Sequence, residues 1–211
     1  MRRMEIARRT KIMLVVFLVS IGVLALLYWR TSRAAYESAK YVVVRSEGDF
    51  EIRDYAAMVL AETPLAGGEA GRDGSFLRLF RFITGANEAR QKLAMTTPVL
   101  IDAEPSGGRM SFVLPAEVGL PQVARPADPS VSLRGVEPTR YAALRFPGSI
   151  SEKRQDVAYA RLLELLKERG LEARSGPRFA YYDPPWTPPF LRRNEVLVRI
   201  ADSEPSTSSP H

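Results

Sequence analysis

Hydrophobic residues follow three patterns along this chain, and each pattern predicts a different kind of element. Residues 12–29 form an uncharged apolar run, interrupted only by Ser20 and Gly22. Between 41 and 200, short β-branched and aromatic runs alternate with turn residues, as strands do. Two further stretches carry apolar residues at helical spacing. The patterning therefore predicts one apolar helix followed by an α+β domain with two helices.

The apolar run is long enough to cross a membrane. As an 18-residue helix it spans roughly 27 Å, close to the ~30 Å hydrocarbon core of a bilayer. Tyr28 and Trp29 stand at its end, where interfacial aromatic residues are common. A soluble helix would show a polar stripe instead. We therefore predict a transmembrane helix at 12–29.

Basic residues around this run predict its orientation. Five precede it and three follow it closely, so the positive-inside bias places residues 1–11 in the cytoplasm. Residues 30–40 would be a tether, and the following domain would lie on the periplasmic side of the inner membrane. A cleaved signal peptide ending near Ser32-Arg33-Ala34 is the alternative, although the run exceeds the usual ~7–15-residue signal core.

The domain is predicted to alternate strands with two helices. Gly48-Asp49 between β-branched runs indicates a hairpin. A helix is expected from about 75 to 84, ended by Gly85, and a second from a Ser149/Glu152 capping box to 169. The first helix has one apolar face, formed by Phe76, Leu79, Phe80 and Ile83. The strands are predicted at 41–44, 50–52, 55–62, 92–101, 109–114, 131–136, 141–146, 178–182 and 196–200.

A repeat relates the two halves of the domain, about 41–114 and 131–200. A single offset of 86 carries Tyr55 to Tyr141 and the strand at 110–114 to that at 196–200. The offset also pairs Met95-Thr96-Thr97-Pro98 with Tyr181-Tyr182-Asp183-Pro184. We predict two ββαββ units about a pseudo-twofold axis, forming a distorted antiparallel β-barrel flanked by two helices, with a cleft between sheet and helices.

Composition and charge narrow the chemistry. The chain has no cysteine and its one histidine is His211, which excludes thiolate nucleophiles, histidine triads and histidine metal clusters in the core. The net charge of +6 is accounted for by residues 1–33, which hold seven basic residues and one acidic residue. The remaining residues balance to zero, so no nucleic-acid partner is expected. Residues 201–211 are Ser/Pro-rich and predicted to be disordered.

The segment 181–196 holds four prolines and four aromatic rings ahead of an Arg-Arg-Asn-Glu turn. Proline fixes φ and lacks an N–H, so this segment is neither a helix nor a central strand. A stiff extended loop is predicted. It is either one wall of a ligand pocket or a rigid connection that covers a barrel end.

Three motifs together resemble the SOUL haem-binding protein family: Lys92–Val99, Tyr182-Asp183-Pro184-Pro185 and Arg192–Val196. The similarity extends over about 41–200. It implies a duplicated α+β barrel akin to bacterial effector-binding regulatory domains. It also implies non-covalent binding of haem, or of a related porphyrin or small apolar anionic ligand, in an apolar groove beside the first helix.

The resemblance also implies which residues would form the groove. Arg72, Arg78 or Arg81 would pair with a propionate, because guanidinium matches a carboxylate in two-pronged fashion. Phe76, Phe80, Met95, Tyr182 and Trp186 would contact the macrocycle. The competing interpretation is core packing for the apolar residues and solvation for the arginines. Arg192, Arg193 and Glu195 are expected to hold the barrel closed by ion pairs.

Iron would lack an axial histidine in the core and would take Met58, Met95, Met110, a tyrosine or no protein ligand. No catalytic or metal-binding residue is predicted. The leading hypothesis is a membrane-anchored, non-enzymatic tetrapyrrole carrier or sensor of bacterial type. The alternative is a small-molecule effector-binding or protein-interaction domain on the same scaffold without haem. A hydrolase is disfavoured, because Asp183 with Glu195, or Ser111 with a lysine, shows no catalytic spacing.

Overall fold

A computed structural model of the chain describes residues 11, 13–23, 36–65, 74–103, 107–184 and 186–201. Contacts divide the chain into two units, Met1–Tyr36 and Glu37–His211. In the first unit, residues 13–23 are helical with exposed side chains. No helix within the described ranges is long and apolar enough to cross a membrane. Residues 12 and 24–35 of the predicted membrane helix and tether lie outside those ranges, as does the tail from 202 onward. The membrane helix, the tether and the disordered tail stay predictions.

The second unit is an α+β domain with two helices, α1 (Ser75–Ile83) and α2 (Glu152–Glu168). Gly85 and Gly170 end these helices in the left-handed conformation, with φ of 117° and 64°, which glycine adopts without steric cost. The eleven strands are β1 (Glu37–Ser38), β2 (Tyr41–Glu47), β3 (Phe50–Tyr55), β4 (Met58–Pro64), β5 (Thr96–Thr97), β6 (Val99–Asp102), β7 (Arg109–Val113), β8 (Ser132–Val136), β9 (Thr139–Phe146), β10 (Arg178–Tyr181) and β11 (Asn194–Arg199).

The predicted capping box at the start of α2 is wrong. The N-cap is Ser151, two residues after Ser149, and its side chain makes no capping hydrogen bond. The strand at 92–101 was predicted with a central Thr-Thr-Pro break, and the structure confirms that break. Strand β5 and a cis Thr97–Pro98 peptide precede β6, so only Val99–Asp102 joins the main sheet.

Nine strands form one antiparallel sheet in the order β2-β3-β9-β11-β10-β6-β7-β4-β8. From β3 to β8 this order is symmetric about the contact between β10 and β6, which confirms two related ββαββ halves. The sheet is curled but open, with β2 and β8 at its edges. It is therefore a half-barrel and not the closed or nearly closed barrel that the repeat predicted, because each edge strand has only one neighbour. A separate parallel pair, β1 with β5, lies outside it.

The repeat exists, but one gap-free offset does not describe it. The buried positions of α1 recur in α2 at an offset of 83 (75 to 158): Ser75, Leu79, Phe82 and Ile83 correspond to Ala158, Leu162, Leu165 and Leu166. Strand pairing relates β4 to β9 at 81 (60 to 141) if β7 and β11 keep the offset of 86. The proposed equivalence of Met95–Pro98 and Tyr181–Pro184 is therefore wrong, since Thr96–Thr97 precedes β6 whereas Tyr182–Pro184 follows β10.

The two faces of the sheet differ in what covers them. On the helix face, side chains such as Phe112 and Val198 pack with Leu79 and Leu162 into the main core. On the opposite face, here called the open face, a smaller apolar cluster includes Tyr55, Tyr141 and Tyr182 and is bordered by charged residues. The period-2 alternation of each strand produces this division.

Candidate functional site

Helix α1 carries a partly exposed aromatic surface. Phe76, Leu77 and Phe80 are 39%, 48% and 41% exposed, and these three residues are called the α1 aromatic surface below. The rings of Phe76 and Phe80 stack with centroids 6.1 Å apart and planes 12° apart. Phe76 also meets Phe112 edge-on at 5.2 Å. The predicted apolar stripe is therefore divided between two environments. Leu79 and Ile83 are buried in the core, whereas the two phenylalanines are partly exposed.

The arginines on α1 have different environments. Arg78 donates from Nε to Thr63 Oγ1 at 3.1 Å and from Nη2 to the Pro64 carbonyl at 2.9 Å, which ties α1 to the end of β4. Arg81 is exposed in the last turn. Hydrogen bonds from Ser130 lower the pKa of Asp128, and the charges of Arg78 and Arg81 add to this effect. The end of α1 is therefore electropositive. Arg72 lies outside the described residues.

The other predicted site residues do not join this surface. Met95 is half-buried and packs against the helix-face core. Tyr182 is buried on the open face of the sheet, so it cannot share a ligand with Phe76 and Phe80 on α1. Trp186 is 65% exposed on the proline-rich loop. That loop is joined to the segment before α2, where the Gly148 N–H donates to the Pro189 carbonyl at 3.2 Å.

The proline-rich loop is held by its own hydrogen bonds, as its sequence predicts for a stiff segment. The Thr187 N–H donates to the Pro184 carbonyl at 3.0 Å, and Arg192 Nε donates to the Thr187 carbonyl at 2.7 Å. The Arg193 N–H donates to Asp183 Oδ2 at 2.6 Å. The loop presents Trp186 and Phe190 outward and contributes no residue to either of the two cavities described below.

A buried ionic cluster surrounds Glu195 on the open face. Arg53 donates to both carboxylate oxygens, at 2.6 and 2.9 Å. Arg193 Nη2 donates to Oε1 at 2.7 Å, and the Tyr182 hydroxyl donates to Oε2 at 2.9 Å. The side chains of Arg53 and Glu195 are 1% and 0% exposed. The predicted ion pair between Arg193 and Glu195 is confirmed, whereas Arg53 is a partner that the sequence did not indicate.

The charges in this cluster set its protonation. Burial alone would raise the pKa of Glu195, but the hydrogen bonds and charges of Arg53 and Arg193 lower it below its usual value. Burial raises the pKa of Tyr182 well above its usual value. The carboxylate is therefore ionised and surrounded by donors at neutral pH. Such a group stabilises the fold and does not act as a base or nucleophile.

Two cavities open on the domain. One, the edge cavity, has a volume of about 410 Å³ and is lined mainly by the ends of β1, β4, β7 and β8, with Met58 in its wall. The other has a volume of about 380 Å³ and lies on the open face. Both volumes fall within the ~300–1,000 Å³ typical of small-molecule sites. None of the six predicted site residues that the structure describes lines either cavity.

The three methionines predicted as possible iron ligands lie in different environments. Met110 is buried, and its Sδ accepts a hydrogen bond from Ser75 Oγ at 3.5 Å, so it cannot reach a surface ligand. Met95 is half-buried in the core, and Met58 faces the edge cavity. Within the described ranges, no three His, Cys, Asp or Glu side chains come together to hold a metal ion. The α1 aromatic surface offers two stacked rings and a nearby exposed arginine, Arg81, and none of these three methionines belongs to it.

The chain matches a known family profile and resembles several solved structures. The profile of the family described as "SOUL heme-binding protein" matches residues 36–199. A search of curated proteins finds no matching sequence.

Solved structures with a similar fold include the C-terminal domain of EcmrR, with a TM-score of 0.55 and 11% identity over 72% of this chain and 97% of that one. EcmrR in a complex with DNA gives a TM-score of 0.56 and 13% identity over 95% and 70% of the two chains. A hydrolase from Listeria innocua gives 0.52 and 12% over 75% and 94%. At these identities the likeness concerns the fold alone.

Proposed function

The chain belongs to the SOUL haem-binding protein family, and we propose that it binds haem or a related tetrapyrrole non-covalently on the α1 aromatic surface. The observation that carries this proposal is the exposure of two stacked phenylalanines on a helix whose opposite side is fully packed. Contiguous exposed apolar side chains mark binding surfaces more often than chance exposure does. A flat macrocycle is an apolar partner of suitable shape for stacked rings.

Charge near this surface supports an anionic partner. Arg81 is exposed in the last turn of α1, and Arg78 lies half-buried one turn earlier. Arg81 would meet a propionate carboxylate, and Arg78 would add to the positive potential while it holds the helix against β4. Bound haem would supply iron, whereas this chain would supply apolar contact and charge.

We propose a carrier or sensor role without catalysis. The support is that Glu195 and Glu62, two buried carboxylates of the open face, are each bound by arginine side chains. Arg53 and Arg193 hold the pKa of Glu195 below its usual value, so this carboxylate does not take up a proton near neutral pH. The function of the domain would then be to bind its ligand, and any regulation of the domain would depend on that ligand.

We further propose that residues 12–29 anchor the chain in the inner membrane and place the domain on the periplasmic side. The support is the uncharged run in the sequence and the basic residues before it. Alkaline carbonate extraction of native membranes is the test of anchoring.

Titration of the full-length protein in lipid nanodiscs with haemin, against empty nanodiscs, tests the haem proposal. We expect a saturable Soret change with one site per chain. Phe80→Ala should weaken binding about ten-fold or more, because it removes one of the two stacked, exposed rings. Phe190→Ala is the matched control, since Phe190 is a still more exposed phenylalanine on the proline-rich loop.

Equal affinities of the two variants would overturn the assignment to α1. Absence of saturable binding in the wild-type protein would overturn the haem proposal. A non-porphyrin ligand found by native mass spectrometry on the protein from its own host would then favour an effector-binding domain.

A further inference from the structure

The cavity on the open face, here called the arginine cavity, is lined by more positive than negative side chains. Its wall holds two acidic residues, Glu62 and Asp102, and four basic ones: Arg109, Arg134, Arg178 and Arg199. These residues come from six strands of the main sheet, so the cavity floor is part of the rigid framework. The lining described by the structure therefore carries a formal excess of two positive charges.

Both carboxylates are already fully engaged by two of the arginines. Glu62 accepts from Arg134 Nε at 2.9 Å and Nη2 at 2.6 Å, and from Ser111 Oγ at 3.2 Å. Asp102 accepts from Arg178 Nε at 2.5 Å and Nη2 at 2.8 Å. These two-pronged pairs neutralise Arg134 and Arg178 within the protein. They leave little acceptor capacity facing the cavity.

Several donors remain without acceptors. Arg109 and Arg199 form no ion pair with any residue that the structure describes. The Tyr141 hydroxyl accepts a hydrogen bond from Arg178 Nη1 at 3.1 Å, so its own hydrogen is available to donate. Two cations without a counter-charge and a hydroxyl able to donate match an anion rather than a cation or a neutral apolar molecule.

The pseudo-twofold relation between the two halves explains the excess of positive charge in the arginine cavity. Arg53 lies opposite Tyr141, and Arg134 lies opposite Leu60 in the other half. On the neighbouring strands, Glu195 lies opposite Arg145 and Arg109 lies opposite Pro64. Because β9 corresponds to β4 at an offset of 81 (60 to 141 and 64 to 145), Arg53 is equivalent to Arg134. By the same register, Glu195 is equivalent to Arg109.

The two halves therefore differ by a reversal of charge at one position. In one half a buried glutamate sits at this position and is enclosed by Arg53, Arg193 and Tyr182. In the other half the position is occupied by Arg109, which is exposed, and a cavity of about 380 Å³ lies beside it. In the second half Arg134, the counterpart of Arg53, is bound by Glu62 instead, and Arg109 adds a cation beside an open space.

We propose that the arginine cavity binds a small organic dianion, a dicarboxylate or a phosphate monoester, with its anionic group held by Arg109, Arg199 and the Tyr141 hydroxyl. This site is separate from the α1 aromatic surface, and its occupancy does not depend on haem.

Isothermal titration calorimetry of the full-length protein with succinate and with inorganic phosphate, at low ionic strength, tests the proposal. We expect saturable binding of at least one probe with a Kd of about 1 mM or tighter. The probe that binds more tightly identifies the carboxylate or the phosphate class. Arg109→Glu should weaken binding about ten-fold or more, because it restores the acid of the other half and removes a charge-assisted hydrogen bond.

Lys153→Glu is the matched control, since it makes the same charge change at an exposed position of α2 outside the cavity. Arg199→Gln is a second, milder variant that should weaken binding about three-fold or more. The proposal is overturned if neither probe saturates, or if Lys153→Glu weakens binding as much as Arg109→Glu does. Haemin affinity should be unchanged in Arg109→Glu; a parallel loss would overturn the separation of the two sites.

Discussion

Replacement of Glu195 by glutamine should cost a large part of the stability of the domain. The substitution keeps the shape of the side chain but leaves the Arg53 guanidinium, only 1% exposed, without its main counter-charge. Removal of one partner of a buried ion pair destabilises proteins by about 3–5 kcal/mol, because the remaining charge stays desolvated. The same substitution weakens the hydrogen bonds from Arg193 and Tyr182.

The lower end of that range applies here. Arg53 keeps a second carboxylate, since its Nε donates to Glu51 Oε2 at 2.7 Å, and Glu51 is itself partly exposed. We therefore expect Glu195→Gln to lower the free energy of unfolding by about 3 kcal/mol. With a urea m-value of about 2 kcal/mol/M, the unfolding midpoint moves down by about 1.5 M.

Equilibrium urea unfolding of the full-length protein, followed by far-ultraviolet circular dichroism, measures this shift. Glu164→Gln is the matched control. It removes an ion pair with Arg161 at 3.0 Å in which both side chains are exposed, so its midpoint should not change measurably. The double variant Arg53→Met with Glu195→Gln should recover part of the loss, since it leaves no unpaired buried charge.

A shift of less than about 0.5 M at an unchanged m-value would refute the reasoning. It would mean that Arg53 finds water or another partner when Glu195 is neutral. A shift equal to that of Glu164→Gln would remove the distinction between buried and exposed pairs on which the argument depends.

Two further predictions concern alkaline stability and membrane association. Burial raises the pKa of Tyr181 to about 12 from 10.0, against the opposing hydrogen bond with Gln155. Its contribution is therefore complete below pH 10 and is lost as the pH rises towards 12, because the unfolded chain ionises first. Tyr181→Phe should flatten the fall in urea midpoint between about pH 10 and 12, and an unaltered slope would contradict this. Alkaline carbonate should leave the full-length chain in the membrane pellet, whereas its release into the supernatant would refute an anchor at residues 12–29.

The local elements of the domain could be predicted because their signals are local. Gly85 and Gly170 end helices where the sequence placed them, and the hairpin at Gly48 forms between β2 and β3. The stiffness of the loop around Pro184 follows from proline geometry alone. Two predictions were displaced along the chain. The cap of α2 lies two residues after the predicted Ser149, and the repeat offset differs between elements because the connecting loops differ in length.

The candidate site could be predicted only in part. The apolar stripe on α1 was visible, but its division between core and surface was not, since periodicity does not say how wide a neighbouring sheet is. Only one of the two arginine partners of Glu195 could be predicted from the sequence. Arg193 is two residues away, whereas Arg53 is 142 positions distant along the chain, and no local pattern connects them. The sequence marks Arg109 only as the first residue of a strand. The pairing of β7 places it opposite Pro64 and so relates it to the other half.

By itself, the sequence determined the family, the α+β class, the duplication, the absence of cysteine or core histidine chemistry, and the position of the apolar run at 12–29. These depend on residue identity, on spacing within about ten residues, or on order along the chain. Only the tertiary structure decided that the sheet stays open, that Phe76 and Phe80 stay partly exposed, and that one half buries Glu195 where the other exposes Arg109. Those outcomes depend on strand register, which sets which side chains meet across the sheet and follows from the packing of the whole domain.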